Sequence, residues 1–439
     1  MILKFDDIAN LILREFVIVF KMDMEIITAN VSTQRGIEKL ITLPNIEKKR
    51  FSIFNMSKRL FFDIFTECVV KRKLSDELRK TIFEDNVLLM WISQTAITSL
   101  SFEMWVKARN LITLALIYHT PVMVHYLFMQ DFNAIQILVS CISPEHFLKY
   151  LIFNVCPSIR EKTSVSKPLA SILSLQELDD IMVLQEVLIL IYNALTEMRL
   201  VGDLKDPDSY FMERQVNHMV SCECKTKNVL KSKMYVDRSS FKSVIPDSRF
   251  IDIGTMMLHK ACPQNPPQKD DAERAFIKYL NPGAPIYYLY TIPDTDYTFE
   301  TLSRHYKDQV PYFLLPDVTD LREDFKGLNN FLFSETFFVF VMECFVRWYG
   351  KPELWKRDSL DLLLLILLIL CLILRVSKYR DVCESDRERM FDFFGPHTKL
   401  ENRSLLDIMM SERPNNQNPL VASMIDRFVS LSHLAKPSK

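Results

Sequence analysis

Glycine is scarce in this sequence: 439 residues hold 7 of them, where roughly 7% is the usual share. They are Gly36, Gly202, Gly254, Gly283, Gly327, Gly350 and Gly395, and no two stand close together. A phosphate-cradling loop needs clustered glycines, so that successive backbone N–H groups can reach the anion. Neither G-x-G-x-x-G nor G-x-x-x-x-G-K-[ST] can be written here, and the strained G-x-S-x-G nucleophile turn is also missing. The usual nucleotide-binding loops and the α/β-hydrolase elbow are therefore excluded. Asn-Gly and Asp-Gly pairs, which favour tight hairpins, are scarce too, and this argues against an all-β fold.

The sequence also lacks an excess of either charge. It has 54 Lys and Arg against 55 Asp and Glu, a net charge of -1, so its balance points neither to nucleic acid nor to an acidic partner. Residues 1–21 lack the apolar core of a secretory signal, because Asp6, Asp7, Arg14 and Glu15 interrupt them. The 9 cysteines have no regular spacing and read as reduced thiols, which places the chain in the cytoplasm, with the nucleus as the other such compartment. The Asn-x-Ser triplets at Asn30, Asn55 and Asn402 have no role there. Long apolar runs are limited to residues 362–374, closed by Asp361 and Arg375. Thirteen helical residues span roughly 20 Å and a bilayer core needs about 30 Å, so this run is expected to be a buried core helix and no membrane partner is expected.

What is present is helical and bulky. Hydrophobic residues make up 49% and charged residues 25%, with 31 Phe, enough for a large core. Leu11, Leu13, Phe16, Val17 and Phe20 have the three/four spacing of a buried helix stripe, and Phe61, Phe62, Phe65, Cys68 and Val69 repeat it. Lys71-Arg72-Lys73 and Arg79-Lys80 around Asp76-Glu77 read as a solvated helix end. Ser143-Pro144-Glu145 has the form of a helix start. A long helical stretch is predicted from Gln176 through Met198, with Leu184, Val187, Leu188, Ile191 and Leu195 on its apolar face. After Gly202, residues 203–208 read as a linker. Short helical pieces at 210–220, 226–234 and 239–245 are followed by strand-like segments at 250–258 and 286–292, a winged-helix pattern. Residues 331–348 and 387–394 return to helix, the latter ended by Gly395-Pro396, and the chain from Pro414 reads as a frayed tail. The expectation is a mainly α fold, a multi-helix scaffold with an embedded winged-helix domain and a small β wing. Its parts are a helical N-terminal region (1–100), a helical scaffold (101–203), the winged-helix-like domain (204–292) and a C-terminal helical region (293–439).

Chemistry-bearing constellations are few. The best metal candidate is His218, Cys222 and Cys224, spaced H-x3-C-x-C. A structural zinc site wants four ligands, commonly with C-x2-C, and a fourth here would be the distant His259 or Cys262, so the three read more simply as a histidine and thiols without metal. H-E-x-x-H and the acidic calcium loop are missing. No local signature supports a Cys–His nucleophilic pair, and His119 on an apolar helix reads as a hydrogen-bonded core histidine. Residues 205–250 carry 9 Lys and Arg against 6 Asp and Glu. Phosphate contact asks for a denser basic face, so no nucleic-acid partner is expected, and the winged helix reads as a protein-docking or packing module.

One stretch carries more than composition. It runs Met104-Trp105, Arg109-Asn110, Tyr118-His119, Met129-Gln130-Asp131, Gln136, Val139-Ser140 and Pro144-Glu145-His146-Phe147-Leu148. It resembles the central region of the N-recognin ubiquitin ligases, the UBR-box family of the N-degron pathway, where W-R-R-N leads to Y-H, an M-F-D-type segment and D-P-N-H-F-L. The stretch 184–191 looks like that family's next helix, 214–245 is similar to its winged-helix segment, and 285–290 matches its Y-F-Y-H run weakly. The resemblance covers about residues 102–374.

The resemblance implies a structural motif of Trp105, Asn110, His119, Asp131, Gln136, Pro144, His146, Phe147 and Leu148. It also implies a role in ubiquitin conjugation and protein degradation, with a ubiquitin-conjugating enzyme and N-degron substrates as partners. The sequence departs from the family in two ways. W-R-R-N becomes Trp-Val-Lys-Ala-Arg-Asn, and where the family has a long basic helix that docks the conjugating enzyme, residues 293–311 hold 2 basic and 4 acidic residues. The zinc of the family sits in its UBR box and RING; no Cys/His array here matches either, and neither a catalytic residue nor a cofactor is assigned to this chain. The function expected is the scaffold portion of such a RING-type transferase. The other readings are a helical plus winged-helix subunit of a multiprotein complex, and a winged-helix nucleic-acid binder.

Overall fold

In the computed structural model, the residues described are 5–28, 56–70, 74–100, 127, 129–207, 210, 318–350, 358–413 and 419–435. Their regular structure is almost wholly helical, with one two-stranded antiparallel hairpin near the C-terminus, so the mainly α class holds. The expected winged-helix pieces and both wing strands, except Tyr210, lie outside the described residues. The chain forms two compact units. One comprises Met1–Tyr118, Tyr126–Leu190 and Arg322–Glu343, the other His119–His125, Ile191–Leu321 and Cys344–Lys439.

The first unit contains α1 (Phe5–Thr28), α2 (Met56–Val70), α3 (Asp76–Phe83), α4 (Asn86–Leu100), α5 (Met129–Cys141) and α6 (Pro144–Val155). Short helices α7 (Pro157–Lys162) and α8 (Leu169–Leu173) follow. Helix α2 buries the Phe61, Phe62, Phe65, Cys68 and Val69 stripe read from the sequence, with Phe61 stacked on Phe65 and set edge-on to Phe16 and Trp91. On α1 the buried line is Ala9, Leu13 and Val17, while Leu11 points outward. Apolar residues surround most of this helix, and periodicity alone cannot say which of its two apolar faces is packed. Phe20 lies outside the described side chains.

The stretch predicted as one helix up to Met198 is broken twice. Gln176–Asp179 is a 3-10 turn, α9 runs Ile181–Thr196 and α10 runs Met198–Val201. Asp180 is extended, and its carbonyl accepts the first helical bond of α9 from Leu184 N–H, a position that suits Asp. Glu197 starts α10 by accepting the Arg199 N–H on its side chain. The five predicted apolar-face residues of α9 are all buried. Likewise, the helix predicted over 331–348 is two: α11 (Gly327–Leu332) and α12 (Glu335–Tyr349). The Ser334 hydroxyl accepts the Phe337 N–H and ends the continuity.

The second unit is built on α13 (Asp358–Tyr379). Residues 362–374 are all buried, as expected. The helix is longer than the apolar run, however: its 22 residues span about 33 Å, and by length and composition it could cross a membrane. Length therefore does not separate the two cases; most of the apolar window is buried against protein. A correction concerns the tail, where α16 (Pro419–Ala435) packs against α13. Val421, Met424, Ile425, Phe428 and Leu431 face inward, and that spacing outweighs the polar residues 414–418 before it.

Between α13 and α16 lie α14 (Glu384–Phe394), ended by Gly395 as predicted, then β1 (Pro396–His397), β2 (Arg403–Ser404) and α15 (Leu405–Glu412). The hairpin was not predicted. It turns through Glu401 and Asn402, both at positive φ, and so manages without glycine. Ser404 and Asp407 form a capping box at the start of α15. Gly202, read as the boundary of the linker, pairs antiparallel with Leu321, and the Asp203 N–H donates to Asp320 O at 2.8 Å. Arg380 fastens the same strand-like segment, donating from Nε to Thr319 O at 2.9 Å.

Candidate functional site around Asp131 and His146

The residues singled out in the sequence fall into two groups. Trp105, Asn110 and His119 lie outside the described residues, as do the metal candidates His218, Cys222 and Cys224. Asp131 and Gln136 stand on α5, and Pro144, His146, Phe147 and Leu148 on α6, so these six lie on two consecutive helices joined by Ile142 and Ser143.

Asp131 lies in the first turn of α5, where a carboxylate suits the helix dipole. It is fully buried. Its partner is Arg59 of α2, whose Nη1 donates to Asp131 Oδ1 at 2.8 Å and to the Leu127 carbonyl at 3.0 Å. One turn along α2, Asp63 accepts from Gln130 Nε2. The start of α5 is thus clamped to α2 by a buried guanidinium and a neighbouring amide. Lys58 stands beside the pair, its ammonium 5.5 Å from the centre of the Trp91 ring. Burial pushes its amine down to about 8, the Asp131 carboxylate pulls it back up and Arg59 adds to the depression.

Gln136 is buried in the middle of α5, and its carbonyl accepts from the Ser140 hydroxyl at 2.7 Å. The Ser140 carbonyl in turn packs against Gly327 so closely that a Cβ there would overlap it. Here glycine is demanded for want of space rather than for its dihedral freedom, as it is less severely at Gly202 against the Met198 carbonyl. Cys141 follows, its thiol pushed up to about 11 by burial.

Helix α6 starts as the sequence predicts. Ser143 is the cap, its hydroxyl accepts the His146 N–H at 3.3 Å, and Pro144 occupies the first turn. The same hydroxyl lies 2.9 Å from His146 Nδ1, and the imidazole stacks on Tyr150. His146 is exposed: its ring folds back on its own cap and away from the core. Glu145 pairs with Lys149 at 2.7 Å and accepts the Leu169 N–H; the Lys149 hydrogen bond holds its carboxyl below the usual range. Phe147 and Leu148 are buried, Phe147 standing edge-on to Phe331 at 5.3 Å.

Chemically the arrangement is a set of packing anchors, one buried ion pair and a capped helix start. The hydroxyl that stands beside an imidazole, Ser143 next to His146, is engaged as the α6 cap, and among the described residues no three His, Cys, Asp or Glu are grouped as a metal site would need. Arg59, Lys58 and Gly327 were not singled out from the sequence. Arg59 sits at the edge of the α2 apolar stripe, and a cation in that register was the available signal. Gly327 carries no local signal, because what it touches lies far along the chain. No family model, no curated protein and no solved structure matches this chain.

Proposed function

We propose that the chain is the scaffold portion of an N-recognin-type RING ubiquitin-protein ligase acting in N-degron-dependent protein degradation. The sequence resemblance of residues 104–148 suggests the family. The observation that carries the scaffold role is the burial of Asp131, Gln136, Phe147 and Leu148 as packing groups on two consecutive helices. A positional element needs rigid, mutually clamped helices, and its motif residues are then structural. Such a scaffold raises the effective concentration of a substrate lysine near charged ubiquitin. In this reading zinc, degron recognition and thioester activation belong to UBR-box and RING modules, which the sequence of this chain does not contain.

The test has two arms. The purified chain is mixed with a conjugating enzyme charged with ubiquitin, and single-turnover discharge is followed. The expected rate equals that of the conjugating enzyme alone, and robust discharge would overturn the scaffold assignment. The second arm purifies the tagged chain from its own cells under native conditions. A ubiquitin-conjugating enzyme and RING or UBR-box polypeptides are expected among the bound proteins. Stable subunits with no link to ubiquitin would favour the multiprotein-complex reading, and salt-sensitive retention of DNA would favour the nucleic-acid binder.

A further inference from the structure

Helix α1 packs into the first unit through Ala9, Leu13 and Val17, yet a second apolar strip runs along its other side. Ile8, Leu11, Ile12, Ile18 and Val19 are each between 37% and 51% exposed. At 100° per residue they fall within a sector of about 120°, with Glu15, also exposed, in its middle. Isolated exposed aliphatics are ordinary; five on one face of one helix make a strip of a few hundred Å², the scale at which an apolar patch marks an interaction site. Their spacing is that of a two-helix seam, with Ile8, Leu11, Glu15 and Ile18 at successive seam positions.

Two observations select the occupant. A second copy laid parallel on this strip would bring Glu15 against its own counterpart, a repulsive pair, and one laid antiparallel about the strip's midpoint would set Glu15 against the aliphatic Leu11 and Ile12, a charge covered without a cation. The neighbouring cation, Arg14, is engaged with Glu77 of α3 at 2.6 Å and points the guanidinium toward the body. The strip is also small beside the roughly 800 Å² per partner of a standard stable interface, but it suits one helix. We propose that the outer face of α1 docks a single amphipathic helix of another protein, one that carries aliphatic residues at i, i+3, i+4 and i+7 and a Lys or Arg opposite Glu15. The aliphatic seam supplies the attraction and the charge at Glu15 selects the partner. This inference does not rest on the ligase reading.

The test uses the full chain and two synthetic helical peptides of roughly 20 residues, both with Ile and Leu at seam positions and differing only in Lys or Glu at the central one. Binding is read by fluorescence anisotropy. The Lys peptide is expected to bind at least about tenfold more tightly than the Glu peptide, and Glu15→Lys is expected to reverse that order. Leu11→Glu, a change at an exposed position that leaves the circular dichroism spectrum intact, should abolish binding of both. Equal affinity for the two peptides, a preference that survives Glu15→Lys, or binding of neither overturns the proposal. So does a concentration-dependent dimer in sedimentation that Leu11→Glu abolishes, because a second copy would then be the occupant.

Discussion

Removing one member of the Arg59–Asp131 pair should be far more damaging than removing both. Asp131 has no exposure to solvent and the Arg59 side chain only 9%. Taking Asp131 to Ala deletes a charge-assisted hydrogen bond worth about 1.5–3 kcal/mol. It also takes the opposing charge from a buried guanidinium, which keeps its bond to the Leu127 carbonyl. Lys58 then loses a charge that favours its ammonium. Arg59→Ala takes the same bond from a fully buried carboxylate, which keeps the Lys58 cation nearby. Each single change is expected to cost about 3–5 kcal/mol, the range for breaking a buried pair. Arg59→Met with Asp131→Leu fills similar volume without charge and should cost within about 1 kcal/mol, so the double variant falls at least ~3 kcal/mol short of the sum of the singles. Native-state hydrogen exchange read on peptides from α2 and α5 is the suitable assay, since it reports opening of this region rather than of the whole chain. A loss of 3–5 kcal/mol appears as a fall in protection of roughly 150- to 5,000-fold. Single variants costing under about 1 kcal/mol, with an additive double, would refute the claim that this pair clamps α5 to α2.

Gly327→Ala places a Cβ inside the Ser140 carbonyl oxygen, and because backbone must move to admit it, a loss of about 2–4 kcal/mol is expected, seen as a lower melting temperature. Lys58 holds its proton less tightly in the folded chain, at about 8 against 10.5, so its burial cost is present in full below pH 8. Between pH 8 and 10.5 the folded state releases the proton first and stability rises. Lys58→Met should therefore stabilise the protein by about 1–2 kcal/mol at pH 7, an advantage that denaturant titrations should find fading across that window. Glu401→Gly relieves a left-handed dihedral and should raise stability by about 0.5–1 kcal/mol, a slightly higher urea midpoint. Ser143→Ala should cost about 1 kcal/mol through loss of the cap, whereas His146→Ala, which leaves the cap hydroxyl in place, should cost under about 0.5 kcal/mol; a larger effect from His146 in thermal melts would contradict its surface placement.

Much of the helical framework was legible. The Ser143 cap, the Gly395 stop, the buried faces of α2 and α9 and the burial of residues 362–374 follow from local spacing and capping chemistry. Interruptions at Asp180, Glu197 and Ser334 were not, because a polar residue within an apolar pattern can either face solvent or end the helix, and only its hydrogen bonds distinguish the two. The tail differs from its expectation for a related reason: the polar stretch 414–418 precedes, and does not interrupt, the apolar period of Val421, Met424, Ile425 and Phe428. At the candidate site, Phe147 and Leu148 were legible as core anchors, while the burial of Asp131 had no visible counterion within its own segment. Arg59 lies 72 residues away.

By itself the sequence determined the secondary-structure class. That depends on short-range facts: how apolar residues repeat and which side chains can cap a helix. Which face of α1 is covered, which cation neutralises Asp131, and why position 327 must lack a side chain were decided only by the tertiary structure. Each of those depends on what a distant segment brings within a few ångströms, and no spacing along the chain encodes that distance.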